Sequence, residues 1–257
     1  MRLRQVALVA RDLEGAANAL GSVLGLTVSY RDPGVSTWGL DNVVMPVGGN
    51  FLEVVSPHRP GTSAGRYLDR RGGDGGYMVI LQTADAVAER ARVTALGVRA
   101  VWETDRPTYR ATHFHPSDVG GVLLSIDSVE PGADWTAPMC AWPPAGPQWP
   151  AAVSTGVVRD LVGVEIQSEK PEAMAELWSR ILAMPTRPLP GGACQIDLVG
   201  GAIRFVPAAD GRGPGVSGID LHVADRTRLT AAARARAVPV ADDHVVLCGT
   251  RIAFASP

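Results

Sequence analysis

Glu53 stands in Phe51-Leu52-Glu53-Val54-Val55, a carboxylate whose neighbours in the chain are all apolar. Facing a closed hollow, it would be desolvated, its pKa would rise, and it would suit general acid or base work. Facing outward, it would be one more surface carboxylate on a strand. His113 and His115, in Thr112-His113-Phe114-His115-Pro116, would share one face of a strand with Phe114 on the other. That pair could exchange protons or join Glu53 in binding a metal. Alternatively, one histidine bonds backbone near Gly120-Gly121 and the other is exposed. Arg110, on the same alternation as His113 only if the strand contains a bulge, could receive an anionic substrate group or be an exposed arginine at a strand start. Trp38 and Trp102 could line a cavity or belong to the core. The chain holds no GxSxG, HExxH or Cys/His nucleophile arrangement. The run Arg71-Gly72-Gly73-Asp74-Gly75-Gly76 lacks the context of a phosphate loop and reads as a flexible turn.

These groups lie on elements that repeat. Residues 3–9 alternate and then turn apolar, as a half-buried strand does. Asp12 offers an N-cap to a helix with Leu13, Ala16, Ala17, Leu20 and Leu24 at helical spacing, and Gly25 ends it. Strand-like runs follow at 27–31, 37–46 and 51–56, giving the order β-α-β-β-β. The order recurs as a strand at 77–83, a helix at 85–96, and strands at 98–103, 110–115 and 122–126. A third copy starts at 162–167 with a helix from Pro171 to about Leu182 and strands at 194–199 and 202–206. The fourth is shorter, with a strand at 219–223, a helix at 227–237 and strands at 244–248 and 250–255. A lone module would expose a sheet face and an edge, so modules should pair. The expected fold class is α+β: four tandem βαβββ modules in two paired units, curved mixed sheets around a cavity, helices outside. The expected organisation is a unit at 1–129, a strap at 130–157 and a degenerate unit at 158–257. The strap carries six prolines and the tryptophans Trp135, Trp142 and Trp149, and is expected to pack between the halves, the alternative being a lid that contacts the ligand.

The β-α-β-β-β order, with Val6-Ala7-Leu8-Val9-Ala10-Arg11-Asp12-Leu13 at its start, resembles the glyoxalase I and bleomycin-resistance (vicinal-oxygen-chelate) superfamily. Phe51-Leu52-Glu53-Val54-Val55-Ser56-Pro57 resembles that family's fourth strand, and 115–124 the end of its second module. The resemblance covers 3–127, and 158–257 by element order and fragments. It implies paired modules around a cavity with a divalent metal at its base. The implied ligand positions are Gln5, Glu53, Met78 and Ser125. Gln5 and Glu53 fit; a thioether and a serine hydroxyl are poor ligands for a hard ion. No cofactor is certain, and any divalent metal would be weakly held by Gln5 and Glu53. The corresponding places in the second unit are Gly163, Arg204, Gly218 and Ala253, which cannot hold a metal. The resemblance implies a small oxygenated ligand contacted by Gln5, Trp38, Trp102, Arg110, Met78 and Ser125. It further implies a proton-transfer reaction of lyase or isomerase type with Glu53, in which the residue reading adds His113 and His115 as candidates. The alternative is non-catalytic sequestration of a drug or metabolite, as in bleomycin-resistance relatives.

Net charge is -2 and no long block of one sign appears, so neither nucleic acid nor an anionic membrane is an expected partner. Cys140, Cys194 and Cys248 form no CxxC pair, which argues against a disulfide framework. A cytoplasmic monomer or homodimer is expected, with a small molecule as its partner.

Overall fold

The computed structural model describes residues 1–255. Among these residues fourteen strands form two mixed seven-stranded sheets and five α-helices accompany them, an α+β fold. The first sheet holds β1 (Arg2–Val9), β2 (Leu40–Val47), β3 (Asn50–Pro57), β4 (Gly75–Gln82), β5 (Ala100–Arg106), β6 (Tyr109–Phe114) and β7 (Leu123–Val129). Its order is β2-β3-β1-β4-β7-β6-β5. Within a module the first and last strands run parallel, and β1 joins β4 antiparallel where the modules meet. The second sheet repeats the plan with β8 (Val158–Ser168), β9 (Arg187–Pro188), β10 (Cys194–Leu198), β11 (Gly201–Pro207), β12 (Gly215–Val223), β13 (His244–Leu247) and β14 (Thr250–Ala255). Its order is β13-β14-β12-β8-β11-β10-β9, with β8 and β12 at the antiparallel seam.

The helices are α1 (Leu13–Leu24), α2 (Ser63–Arg71), α3 (Ala86–Ala95), α4 (Pro171–Leu182) and α5 (Arg226–Ala235). Asp12, Asp85 and Asp225 cap three of them by accepting backbone N–H bonds in the first turn. Period-two alternation then sorts the side chains of β1. Val6 and Leu8 enter one continuous core with Val164 and Ile166 of β8 and Trp178 of α4. Gln5 and Ala7 face the opposite way, into a hollow on the first sheet.

Several expectations need correction. Residues 27–31 form no strand; Tyr30 makes only an isolated bridge to Val44. The run at 37–46 divides into a 3-10 turn, Pro33–Trp38, and β2, because Gly39 takes a left-handed φ of 74° between them. Helix α2 was not expected. It occupies 63–71, and the glycine run beyond it is pinned rather than free, since Arg212 donates to the carbonyls of Gly73 and Asp74. The strap does not pack between the halves. Trp142 and Trp149 are buried against Phe51 on the hollow face of the first sheet, with ring centroids 6.3 and 4.9 Å from it. Arg2 and Arg4 of β1 hold the strap by donating to the carbonyls of Ala137 and Cys140.

Candidate functional site

Strand register brings the site together. Gln5 lies opposite Phe51 and Ile80, Ile80 opposite Ser125, and Ser125 opposite His113. One strand step along, Glu53 pairs with Ala7, Ala7 with Met78, and Met78 with Leu123. This face lines a cavity of about 640 Å³. Gln5, Trp38, Glu53, Met78, Trp102, His113 and His115 all reach its wall.

Glu53 is only 7% exposed, and both carboxylate oxygens accept amide N–H bonds. Gln5 Nε2 donates to one at 2.8 Å and Asn42 Nδ2 to the other at 2.6 Å. Donor-only groups fix these amide orientations. The Trp142 indole N–H donates to Gln5 Oε1 at 2.7 Å, and the Asp32 backbone N–H donates to Asn42 Oδ1 at 2.7 Å. Each amide must therefore turn its NH2 toward Glu53. Burial raises the Glu53 pKa, while the bonds from Asn42 and Gln5 oppose the rise.

Asp127 is a second buried carboxylate on the same wall, and the sequence reading did not single it out. Burial pushes it up to about 7, against opposing bonds from Ser125 and Tyr109. Tyr109 donates to its Oδ2 at 2.5 Å, and the Ser125 hydroxyl lies against its Oδ1. Ser125 Oγ is also 3.2 Å from the Thr112 carbonyl, so the hydroxyl has an acceptor whether or not Asp127 is ionised. Alternation puts Leu123, Ser125 and Asp127 on one face of β7, but nothing in the residues beside Asp127 marks that face as the cavity wall, and the same holds for Asn42 on β2 and Tyr109 on β6.

His113 is pushed down to about 4 by burial, so it is uncharged at neutral pH. Its ring lies 4.5 Å from Trp102 and 5.8 Å from Trp38, centroid to centroid. His115 falls beyond the end of β6. Its Nδ1 accepts the Ser117 N–H at 3.1 Å, which places the tautomeric hydrogen on Nε2 when the ring is neutral. Two expected contacts are corrected. Ser125 is fully buried behind Asp127 and is not among the lining residues. Arg110 alternates with Tyr109 and Ala111 and lines a separate pocket with Asp85 and Ser128.

A divalent metal fits these residues poorly. Gln5 spends its oxygen on Trp142 and turns N–H toward Glu53, and both Glu53 oxygens already accept hydrogen bonds. Met78 offers a soft thioether, and Ser125 lies against Asp127. Among the described residues, no group of three or more His, Cys, Asp or Glu side chains could hold a metal ion.

No helix among the described residues is long and apolar enough to cross a membrane. None of the curated proteins matches the chain. Among solved structures, the chain is similar to a mutant 4-hydroxymandelate synthase from Streptomyces coelicolor. Identity is 18% and the TM-score 0.66, over 92% of this chain and 75% of that one. It is also similar to the Mn(II)-bound glyoxalase from Novosphingobium aromaticivorans. There identity is 14% and the TM-score 0.67, over 99% of this chain and 81% of that one. At those identities the likeness speaks for the fold. The model of the glyoxalase-like domain matches residues 6–182, more than half of the sequence, and with the paired-module sheets this chain belongs to that family.

Proposed function

We propose that the chain binds a small oxygenated molecule in the cavity of the first sheet and moves a proton on it, with Glu53 as the base. The observation that carries this reading is the setting of Glu53: a buried carboxylate on a cavity wall, gripped on both oxygens by amides whose orientation is fixed. Burial makes the carboxylate a stronger base than it would be in water, and the amides hold it in place without supplying a proton. The substrate this suits carries a C–H bond acidified by a neighbouring carbonyl. The proton passes to Glu53, and the developing oxyanion lies within a wall that holds the His113 imidazole. Return of the proton to another atom completes an isomerisation.

The test is C–H exchange in heavy water, followed by NMR, over a panel of small hydroxycarbonyl and dicarbonyl compounds. Exchange promoted by the wild-type chain should fall by roughly 100-fold or more in Glu53→Gln. Unchanged exchange in that variant removes Glu53 from the chemistry. Sequestration is the second reading, favoured by Met78 and Ser125 at two positions where the family resemblance implies metal ligands. It expects binding without exchange.

A further inference from the structure

The two buried carboxylates of the cavity lack a counter-charge. Glu53 is bonded to two neutral amides, and Asp127 to two neutral hydroxyls. Among the described residues lining the cavity, Arg59 contributes the only guanidinium; it is exposed, and donates to the Thr37 carbonyl at 3.2 Å. His113 is uncharged at neutral pH. Buried carboxylates elsewhere in proteins are paired with a cation or coordinate a metal. A metal is a poor answer here, because Gln5 spends its oxygen on Trp142 and, among the described residues, no third His, Cys, Asp or Glu completes a ligand set.

The rest of the cavity is aromatic. Trp38 and Trp102 meet edge to face at 5.3 Å, His113 leans on both, and Tyr77 and Tyr109 complete the wall. Trp38 remains 40% exposed, a large apolar ring left uncovered beside a cavity. Aromatic faces attract rings by stacking and cations through their quadrupole.

We propose that the ligand is an aromatic amine: its ring lies against Trp38, Trp102 and His113, and its ammonium group supplies the counter-charge that Glu53 and Asp127 lack. This deepens the proposed function and rests on the same cavity. An ammonium group also acidifies neighbouring C–H bonds, which suits a carboxylate base. Ligands ending in a carboxylate or phosphate are disfavoured, since they would bring a like charge into a site without a buried cation.

Two matched probe series test this on the full chain by calorimetry: tryptamine, tryptophol and indole-3-acetate, and their phenyl counterparts phenethylamine, phenylethanol and phenylacetate. Each amine should bind about 10-fold tighter than its alcohol, and each acid more weakly than either. Asp127→Asn should shrink the preference for the amine while leaving the alcohol bound. In that variant the new side-chain amide can accept from Tyr109 and donate to Ser125, so the wall stays satisfied. An acid that binds as tightly as its amine overturns the proposal. So does a preference untouched by Asp127→Asn, or a failure of both amines to bind. None of these outcomes touches the role of Glu53, which is read from C–H exchange and Glu53→Gln.

Discussion

The two sheets share one lattice and treat charge in opposite ways. Register makes the positions correspond. Glu53 pairs with Ala7, and Arg204 pairs with Glu165; Ala7 pairs with Met78, and Glu165 with Gly218; Met78 pairs with Leu123, and Gly218 with Arg251. Arg204 therefore stands where Glu53 does, Glu165 where Ala7 does, and Arg251 where Leu123 does. In the second sheet every carboxylate of this group has its cation. Arg204 bridges Glu165 at 3.2 Å and Asp220 at 2.6 Å, and Arg251 also meets Glu165. Asp220 even fills the space above Gly163, where a Cβ would come within 2.3 Å of its carboxylate oxygen. The second face settles its charges within the chain while staying partly open to solvent, and the first keeps a hollow whose two carboxylates meet no cation. What separates the two faces is whether the charges are settled inside the chain.

Asp127→Asn gives the largest expected effect, and its sign discriminates. The folded-state pKa of Asp127 is raised from 3.8 to about 7. The stability it confers is fully present below pH 3.8 and is lost as pH rises through 7. Above that, an ionised Asp127 costs up to roughly 4 kcal/mol relative to a permanently neutral group. Urea denaturation over a pH series should show Asp127→Asn gaining on the wild type as pH rises toward 7, with the difference levelling off beyond it. A gap independent of pH would mean that Asp127 is already compensated, like its counterparts in the second sheet. Arg204→Ala breaks the comparison from the other side. It strips Asp220 of its arginine and leaves Glu165 with Arg251 alone. The group is only partly buried, so the expected loss is about 2–3 kcal/mol, below that of a fully buried pair. Adding Asp220→Asn to Arg204→Ala should recover part of the loss.

How much of this was readable beforehand follows from what each signal depends on. The modules were legible because strand alternation, aspartate caps and closing glycines are local. Glu53 was legible because an isolated carboxylate in an apolar strand contradicts its surroundings. Asp127 was not, because its neighbours Ile126 and Ser128 look like any strand residues, and Tyr109 reaches it only once β6 pairs with β7. Helix α2 was missed although Ala64, Tyr67, Leu68 and Arg71 recur at helical spacing, because only Tyr67 and Leu68 among them are large and apolar and Gly65 and three arginines surround them; Ala64, Tyr67 and Leu68 pack onto the sheet through contacts made only in the fold. Arg110 would share the His113 face only across a bulge, and whether a strand bulges is not written in its own residues; β6 pairs with β7 without a break in register, so Arg110 faces away.

The smallest expected effect concerns the strap, and it asks why the first sheet keeps its hollow in order. Trp142 is the one strap residue that reaches the Glu53 network by a hydrogen bond, through Gln5 Oε1. Its ring packs near Phe51 and beneath the Arg4 guanidinium, which lies 5.2 Å from the indole. Trp142→Phe keeps most of that packing and deletes only the N–H. Gln5 Oε1 would then lose its donor, at a cost of about 1–3 kcal/mol. The amide would also be free to flip and turn its oxygen toward Glu53. That orientation places two acceptors face to face and favours a protonated Glu53, which can donate to Gln5. The expected outcome is a modest loss of stability at high pH that narrows as pH falls, together with an upward shift in the acidic limb of C–H exchange. A uniform loss across pH, with that limb unmoved, would show that Trp142 acts only as packing and that the amide clamp on Glu53 stands without the strap.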